Sequence, residues 1–181
     1  LGRLDHDGLE EQLLPLITRD DTPLFERRAA IDLAAEAGKT SLTGAILNVA
    51  AAPRVDGVLR TIAARAIRKI SGTESGELLA PILFSDLTSD TDDRLRGTVL
   101  QASWPGSLSF RQLLPTLTAP KRSNLVGPYQ LFLSRFKAPK MTVERALDTI
   151  EWLHLRLDVD DGGEDYLENI ATRLFWAAAS Q

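Results

Sequence analysis

The apolar residues between positions 56 and 70 recur at alternating steps of one and three. They are Val58, Leu59, Ile62, Ala63, Ala66, Ile67 and Ile70. This spacing puts all of them on one face of a helix with about 3.6 residues per turn, whereas a strand would need strict alternation. The same rhythm returns between residues 166 and 178, and strand-like alternation is nowhere sustained. We therefore predict an all-α chain.

Capping residues and glycines divide the chain into helices. Thr22-Pro23 is predicted to supply the N-cap and first residue of one helix, with Gly38 just beyond its end. Asp56 is predicted to cap the next strong helix, which Gly72 follows. Further predicted caps are Ser41, Asp92, Ser109 and Thr142. The predicted helices span residues 9–18, 23–37, 42–52, 57–71, 76–85, 93–103, 109–117, 128–137, 143–156 and 165–179.

The helices repeat as pairs with a period in the mid-thirties. An offset of 34 aligns Gly38 with Gly72 and matches Leu24 with Val58, Phe25 with Leu59, and Leu33 with Ile67. An offset of 36 aligns Asp56 with Asp92 and matches Leu59-Arg60 with Leu95-Arg96, and Ala66 with Ala102. The Asp-x-x-Leu-Arg opening of the second helix resembles HEAT repeats.

This resemblance implies an α-α superhelix, a HEAT/armadillo-like solenoid of about five antiparallel helix pairs, in which each pair buries its apolar face against its neighbours. We predict one domain over residues 1–181. Residues 1–106 form its regular repeats, and residues 107–181 form a less regular helical module.

Composition excludes several classes of protein. The net charge is −4, so no overall positive field would attract nucleic acid. No apolar stretch is long enough to span a membrane. The chain has no cysteine, which is compatible with a reducing compartment, and no secretory signal opens it, so we expect a cytoplasmic protein. It begins at Leu1 and ends in an alanine-rich run, so we expect a piece of a longer protein.

Two segments imitate ligand-binding loops. Gly38-Lys39-Thr40 matches the end of a phosphate-binding loop, but the glycine needed five residues earlier is Leu33, and the segment follows a helix. Residues 158–165 are acidic like a calcium loop, but Gly162 and Asn169 stand where oxygen ligands are required. We predict a helix C-cap for the first and a solvated turn for the second.

No residue set for catalysis is visible. His6 lies in a polar N-terminal segment, and His154 falls in line with Val143, Leu147 and Ile150, which predicts a position on the buried face of its helix. No histidine is placed to activate a serine. We therefore expect no enzymatic activity, no cofactor and no metal site.

Basic residues form three groups, and the densest lies along one helix. Arg60, Arg65, Arg68 and Lys69 are predicted on its exposed side and make the alternative candidate site, a basic face that could bind nucleic acid. The other groups are Lys121-Arg122 and Arg135, Lys137 and Lys140. The excess of acidic residues in the chain argues against nucleic-acid binding. It favours the interpretation that these basic groups are ordinary solvated surface.

The segment from Ser103 to Leu133 carries the main candidate site. Trp104-Pro105-Gly106 is predicted to end a helix, because proline disfavours helical backbone at the residue before it. A stiff loop then presents cations and an amide beside aromatic residues. The predicted binding residues are Trp104, Lys121, Arg122, Asn124 and Tyr129. The alternative is that Trp104 and Tyr129 cap the core while Lys121 and Arg122 are merely solvated.

This segment resembles the helical-repeat region that follows the NTPase module in bacterial NACHT-like STAND ATPases. The matching elements are Trp104-Pro105, Leu108-Ser109, Pro120-Lys121-Arg122-Ser123-Asn124 and Gly127-Pro128-Tyr129-Gln130-Leu131-Phe132-Leu133. The resemblance is specific over residues 92–133. It implies a sensor or linker role next to a separate ATP-binding domain, and it assigns no catalytic role to these residues.

The sequence therefore predicts a non-catalytic scaffold or sensor segment of a STAND-type NTPase. Its expected partner is another protein or the NTPase domain of the same protein. A nucleic-acid-binding HEAT-like module is the alternative.

Overall fold

The computed structural model describes residue 6 and residues 8–122, 126–157 and 164–179. These residues form helices joined by turns and loops, with no strand among them. The α-helices are α1 (Leu9–Thr18), α2 (Leu24–Glu36), α3 (Thr43–Ala51), α4 (Gly57–Ser71), α5 (Ser75–Leu79), α6 (Arg94–Ser103), α7 (Phe110–Leu113), α8 (Pro128–Arg135), α9 (Val143–Leu157) and α10 (Glu164–Ala179). Shorter 3₁₀ helices span Thr40–Leu42, Gly72–Glu74, Ala80–Phe84 and Leu114–Thr116. The all-α prediction is confirmed, and each predicted helix has its counterpart.

Several predicted caps are confirmed by hydrogen bonds. The Asp56 side chain accepts from the backbone N–H groups of Val58 and Leu59, and Ser109 forms a capping box with Gln112. Thr142 accepts from the Arg145 amide at 3.3 Å. Gly38 and Gly72 have φ values of 65° and 52°, the left-handed region in which glycine ends helices without strain.

Other caps were predicted wrongly. The residue that precedes α2 is Pro23, and Thr22 supplies no cap, because the helix starts one residue later than predicted. Ser41 lies inside a 3₁₀ helix, and its hydroxyl donates to Glu10 instead. At α6 the predicted cap Asp92 does accept from the Arg94 amide at 3.3 Å, but the carboxylate of Asp90, which was not predicted, accepts from two amides, those of Leu95 (3.0 Å) and Arg96 (2.9 Å).

The helices pack in sequence as neighbours along the chain. The first three pairs are α1 with α2, α3 with α4, and α5 with α6. The second helices of successive pairs also contact each other, α2 with α4, α4 with α6, α6 with α8, and α8 with α10. Because α7 is a single turn, α9 packs on α7, on the 3₁₀ helix after it and on α10. The less regular C-terminal part thus begins where a full helix is missing.

Burial changes the first repeat alignment by one residue. Under the offset of 34, Phe25 is paired with Leu59, yet Phe25 is 80% exposed and Leu59 only 2%. An offset of 33 pairs Arg27 with Arg60, and both are buried. Each donates its Nε–H to the carbonyl ten residues earlier, that of Ile17 at 2.8 Å or Ala50 at 2.9 Å. The two arginines therefore occupy equivalent places, at the end of the preceding helix.

The offset of 36 between α4 and α6 agrees with burial. It pairs Leu59 with Leu95 and Ala63 with Val99, all of them buried. The equivalent arginine, Arg96, has its side chain 15% exposed and lies 3.5 Å from the Asp93 carboxylate. A repeat of 33 to 36 residues therefore relates α2, α4 and α6 in the positions that they bury.

The buried face of α9 was predicted wrongly. Val143, Leu147 and Ile150 are 81%, 62% and 54% exposed, and His154 is exposed with them. The opposite side of the helix packs inward instead and buries Trp152 to 5% exposure. The strongest apolar stripe of this helix is thus an outer surface, because α7 and α10 both contact its other sides.

Candidate functional site

Lys121 is an exposed residue, but its polar groups hydrogen-bond to the rest of the fold. Its backbone N–H donates to Asp93 Oδ2 at 2.7 Å. Its Nζ donates to the carbonyls of Asp90 at 2.7 Å and Leu87 at 3.2 Å. The predicted recognition loop is therefore attached through this lysine to the turn that precedes α6.

Tyr129 attaches the same loop to α8. Its side chain is fully buried, and its hydroxyl both donates to the Thr118 carbonyl at 2.7 Å and accepts from the Thr118 amide at 2.8 Å. The Arg96 guanidinium lies over the ring, 5.4 Å from its centroid. Burial raises the pKa of Tyr129, so its hydroxyl keeps its proton.

Most of the predicted motif therefore holds the fold together. Tyr129 is a core residue, as the alternative stated, and Lys121 is more than solvated, because its ammonium group donates to two backbone carbonyls. The Gln130 side chain donates to the Arg122 backbone carbonyl at 2.8 Å. The Arg122 side chain itself is exposed. Asn124, the remaining loop residue of the prediction, lies outside the described residues, as does most of the acidic segment at 158–165.

A buried carboxylate, Asp93, sits at the centre of this attachment. Its φ is 56°, its side chain is not accessible, and its Oδ1 lies 3.5 Å from the Arg96 guanidinium. Burial raises the pKa of Asp93, and the Lys121 amide and the Arg96 charge offset part of the rise.

We expect the raised pKa of Asp93 to make the free energy of unfolding of the chain depend on pH. The unfolded carboxyl titrates near pH 4, so Asp93 contributes stability that is complete below that pH and is lost as the pH rises through the higher folded pKa. Asp93→Asn cannot ionise. Urea unfolding at a series of pH values should show the free energy of unfolding of the variant rising relative to wild type from about pH 4 towards neutrality. If the difference in free energy of unfolding between Asp93→Asn and wild type did not change with pH, the prediction would be contradicted. Asp92→Asn is the control.

Arg60 was wrongly placed on the basic face. It is 0% exposed, and its guanidinium also donates to the Asp86 carbonyl at 3.0 Å and to Ser89 Oγ at 2.8 Å. Burial lowers the pKa of Arg60, although the charges of Asp90 and Asp86 oppose the change. The sequence pattern did not predict the burial of Arg60, because arginine is rarely buried unless its N–H groups are hydrogen-bonded.

The other three residues of the basic face do lie together. Arg65, Arg68 and Lys69 are exposed and line a cavity of about 580 Å³ next to the end of α4. The rest of its lining comes from Gly72, Thr73, Ser75, Gln101 and Ala102. Lys69 is paired with Glu36 at 2.5 Å, but the described residues that line the cavity include no carboxylate.

A larger cavity, the aromatic groove, lies between the end of α6 and α8. Its volume is about 690 Å³. It is lined by Gln101, Trp104, Pro105, Leu131, Phe132, Arg135, Phe136, Lys137, Ala138 and Pro139. Trp104 is joined to Pro105 by a cis peptide bond. It is half-buried, and its ring stacks on that of Phe136 with 6.2 Å between ring centroids. Trp104 is thus the one predicted binding residue that lines this groove.

The groove was only partly visible in the sequence. Phe132 and Phe136, one helical turn apart, form its floor with exposures of 8% and 4%. Arg135 and Lys137 are exposed at its side, and no ion pair joins either to a described residue. The i, i+4 spacing of the phenylalanines beside two cations was the available signal.

Gln101 joins the two cavities, since it lines both. Its Nε2 donates to the Pro128 carbonyl at 2.8 Å, and Arg68 approaches its Oε1 at 3.5 Å. Among the residues that the structure describes, five cations and no carboxylate line the two cavities. These are Arg65, Arg68, Lys69, Arg135 and Lys137.

The groove is equipped for binding. Its described lining residues offer apolar surface, a side-chain amide and positive charge, and none of them carries an imidazole, carboxylate, hydroxyl or thiol. Across the described parts of the chain, no group of three potential ligands could hold a metal ion. Nor is any described helix long and apolar enough to cross a membrane.

No protein-family model, curated protein or solved structure matches this chain.

Proposed function

We propose that this chain is a helical-repeat scaffold that binds a segment of protein in the aromatic groove. The observation that carries the proposal is the groove itself, an apolar cavity of about 690 Å³ with a floor of phenylalanine rings. Binding hot spots are typically apolar or aromatic side chains that enter such a pocket. The bound segment belongs to another protein or to another domain of the same protein.

The proposal includes a superhelical arrangement of HEAT-like pairs. Its support is the equivalence of Arg27 and Arg60, together with contacts that run from α2 through α4, α6 and α8 to α10. In such a stack the second helices share one surface, on which extended partners are bound. Gln101 and Leu131 of the groove, and Arg65 and Arg68 of the basic cavity, all belong to second helices.

We further propose a regulatory role in the cytoplasm, as part of a STAND-type ATPase. The support is the motif shared with that family. Because Lys121 and Tyr129 use their polar groups inside the fold, the motif would preserve the shape of the domain, while the groove beside it selects the partner.

Nucleic acid is the second candidate, and the five cations favour it. Single-stranded nucleic acid, however, also needs open aromatic faces on which bases can stack. Phe132 and Phe136 are at most 8% exposed, and one face of Trp104 is used by Phe136. The groove therefore suits an inserted side chain better than a stacked base.

The test is a selection of peptides against the folded chain. We expect the recovered peptides to lose at least about tenfold in affinity when Ala138→Trp fills the groove. Ala138 is a partly exposed lining residue, so the large side chain should block the groove without disturbing the core. Ala178→Trp, at an exposed position on α10, is the matched control.

Isothermal titration of the selected peptides would measure these affinities. Peptides that bind wild type and Ala138→Trp equally well would show that the groove is not the binding site.

A further inference from the structure

Positive charge is concentrated around the aromatic groove in a chain that is acidic overall. The whole sequence has 25 acidic and 21 basic residues. Five of the basic residues line the groove and the adjoining cavity, and no carboxylate of the described residues does so. Such a local field attracts anionic partners and repels cationic ones, whatever the net charge.

These cations are largely unused by the fold. Among the described residues, Arg65, Arg135 and Lys137 have no ion pair, and Arg68 contacts only the neutral Gln101. Several basic residues elsewhere are paired, for example Arg28 with Asp32 and Arg94 with Asp92. The charges beside the groove therefore remain available to a partner.

The apolar and the charged parts of this surface are continuous. Arg135 and Lys137 flank Phe136 in the chain, and Gln101 connects the groove to the cavity of Arg65 and Arg68. A bound chain that places one large apolar side chain on the phenylalanine floor would have cations on both sides of it.

We propose that the occupant of the groove is an acidic protein segment with a bulky apolar anchor. This inference rests on the proposed function and adds the chemistry of the partner. The anchor, a phenylalanine or leucine, packs against Trp104 and Phe132. Aspartates and glutamates next to it meet Arg135 and Lys137 on one side and Arg65 and Arg68 on the other.

The experiment compares peptides that differ only in charge. One carries a phenylalanine flanked by aspartate and glutamate, the second the same residue flanked by lysine, and the third flanked by glutamine and serine. An oligothymidylate of similar length is the nucleic-acid probe. Affinities are measured by fluorescence anisotropy at low and high salt concentration.

We expect the acidic peptide to bind at least about tenfold more tightly than the neutral one, and the basic peptide to bind most weakly. High salt should remove most of the difference, because exposed charges are screened. The double variant Arg135→Glu/Lys137→Glu should reverse the order of the acidic and basic peptides. Arg28→Glu/Arg54→Glu, which changes the net charge equally at positions outside both cavities, should not.

Three results would overturn the inference. Equal binding of the three peptides, blocked by Ala138→Trp, would refute the acidic partner and leave the groove as a protein-binding site. Tighter binding of oligothymidylate through the same cations would identify a nucleic acid instead. If neither these peptides nor the selected ones respond to Ala138→Trp, the proposed function fails as well.

Discussion

Gly97→Ala is expected to destabilise the chain by about 3 kcal/mol or more, a large effect for one added methyl group. A Cβ built on Gly97 would lie 2.1 Å from the Tyr129 nitrogen and 2.4 Å from the Pro128 carbonyl carbon. Both atoms belong to the backbone, so no side-chain rotation relieves the overlap. Helix α8 would have to move away from α6, and these two helices form the aromatic groove.

Gly44→Ala is the matched control. Gly44 lies in α3, and nothing approaches the position of its Cβ within 4 Å. There the same substitution should raise the free energy of unfolding by up to about 1 kcal/mol, since alanine favours helix over glycine. Urea unfolding followed by circular dichroism measures both. If Gly97→Ala were as well tolerated as Gly44→Ala, the close approach of α6 and α8 would be wrong.

A weaker consequence follows for binding. Because Trp104 follows α6 and Phe132 belongs to α8, a separation of the two helices alters the groove. Gly97→Ala protein that still folds at low temperature should therefore bind the selected peptides less tightly than wild type does.

The positions of the helices could be predicted from the sequence because their signals are local. Apolar spacing, a capping aspartate such as Asp56 and a positive-φ glycine such as Gly72 act within one or two turns of the chain. Even so, Thr22 and Ser41 were assigned caps that the structure does not use. Local residue preference places a helix but leaves its first residue uncertain by one or two.

Which face of each helix is buried depends on neighbours that the sequence pattern does not reveal. In α2 the buried side consists of Arg27, Ile31 and three alanines, while Phe25 is 80% exposed. Matching repeats by hydrophobicity therefore aligned the wrong residues. In α9 the same reasoning selected Val143 and Ile150, which the packing of α7 and α10 leaves outside.

The sequence pointed to a residue of the candidate site only where a residue type that favours binding also lies next to the groove. Trp104, predicted as a binding residue, lines the groove because α6 ends beside it. The sequence did not predict that the Lys121 ammonium group donates to the carbonyls of Leu87 and Asp90, more than thirty residues earlier in the chain. A contact of that range has no periodic signature in a single sequence.

Arg60→Ala is expected to cost about 3–5 kcal/mol of stability. The guanidinium donates to the carbonyls of Ala50 and Asp86 and to Ser89 Oγ. Its removal leaves the buried Ala50 carbonyl and the two partly buried acceptors without this donor and opens a cavity in the core. Because Ala50 lies near the end of α3 and Asp86 precedes α6, the loss loosens two helix pairs at once.

Arg65→Ala, one turn further along the same helix, separates this structural role from that of surface charge. Arg65 is exposed and has no ion pair among the described residues, so its substitution should change the free energy of unfolding by no more than about 0.5 kcal/mol. It should instead weaken binding of the acidic peptide. Arg60→Ala, measured under conditions where it remains folded, should leave the surface charge next to the groove unchanged. Similar stability losses for the two variants would mean that Arg60 does not hold the ends of α3 and the loop before α6 together, and that the basic face had been assigned correctly from the sequence.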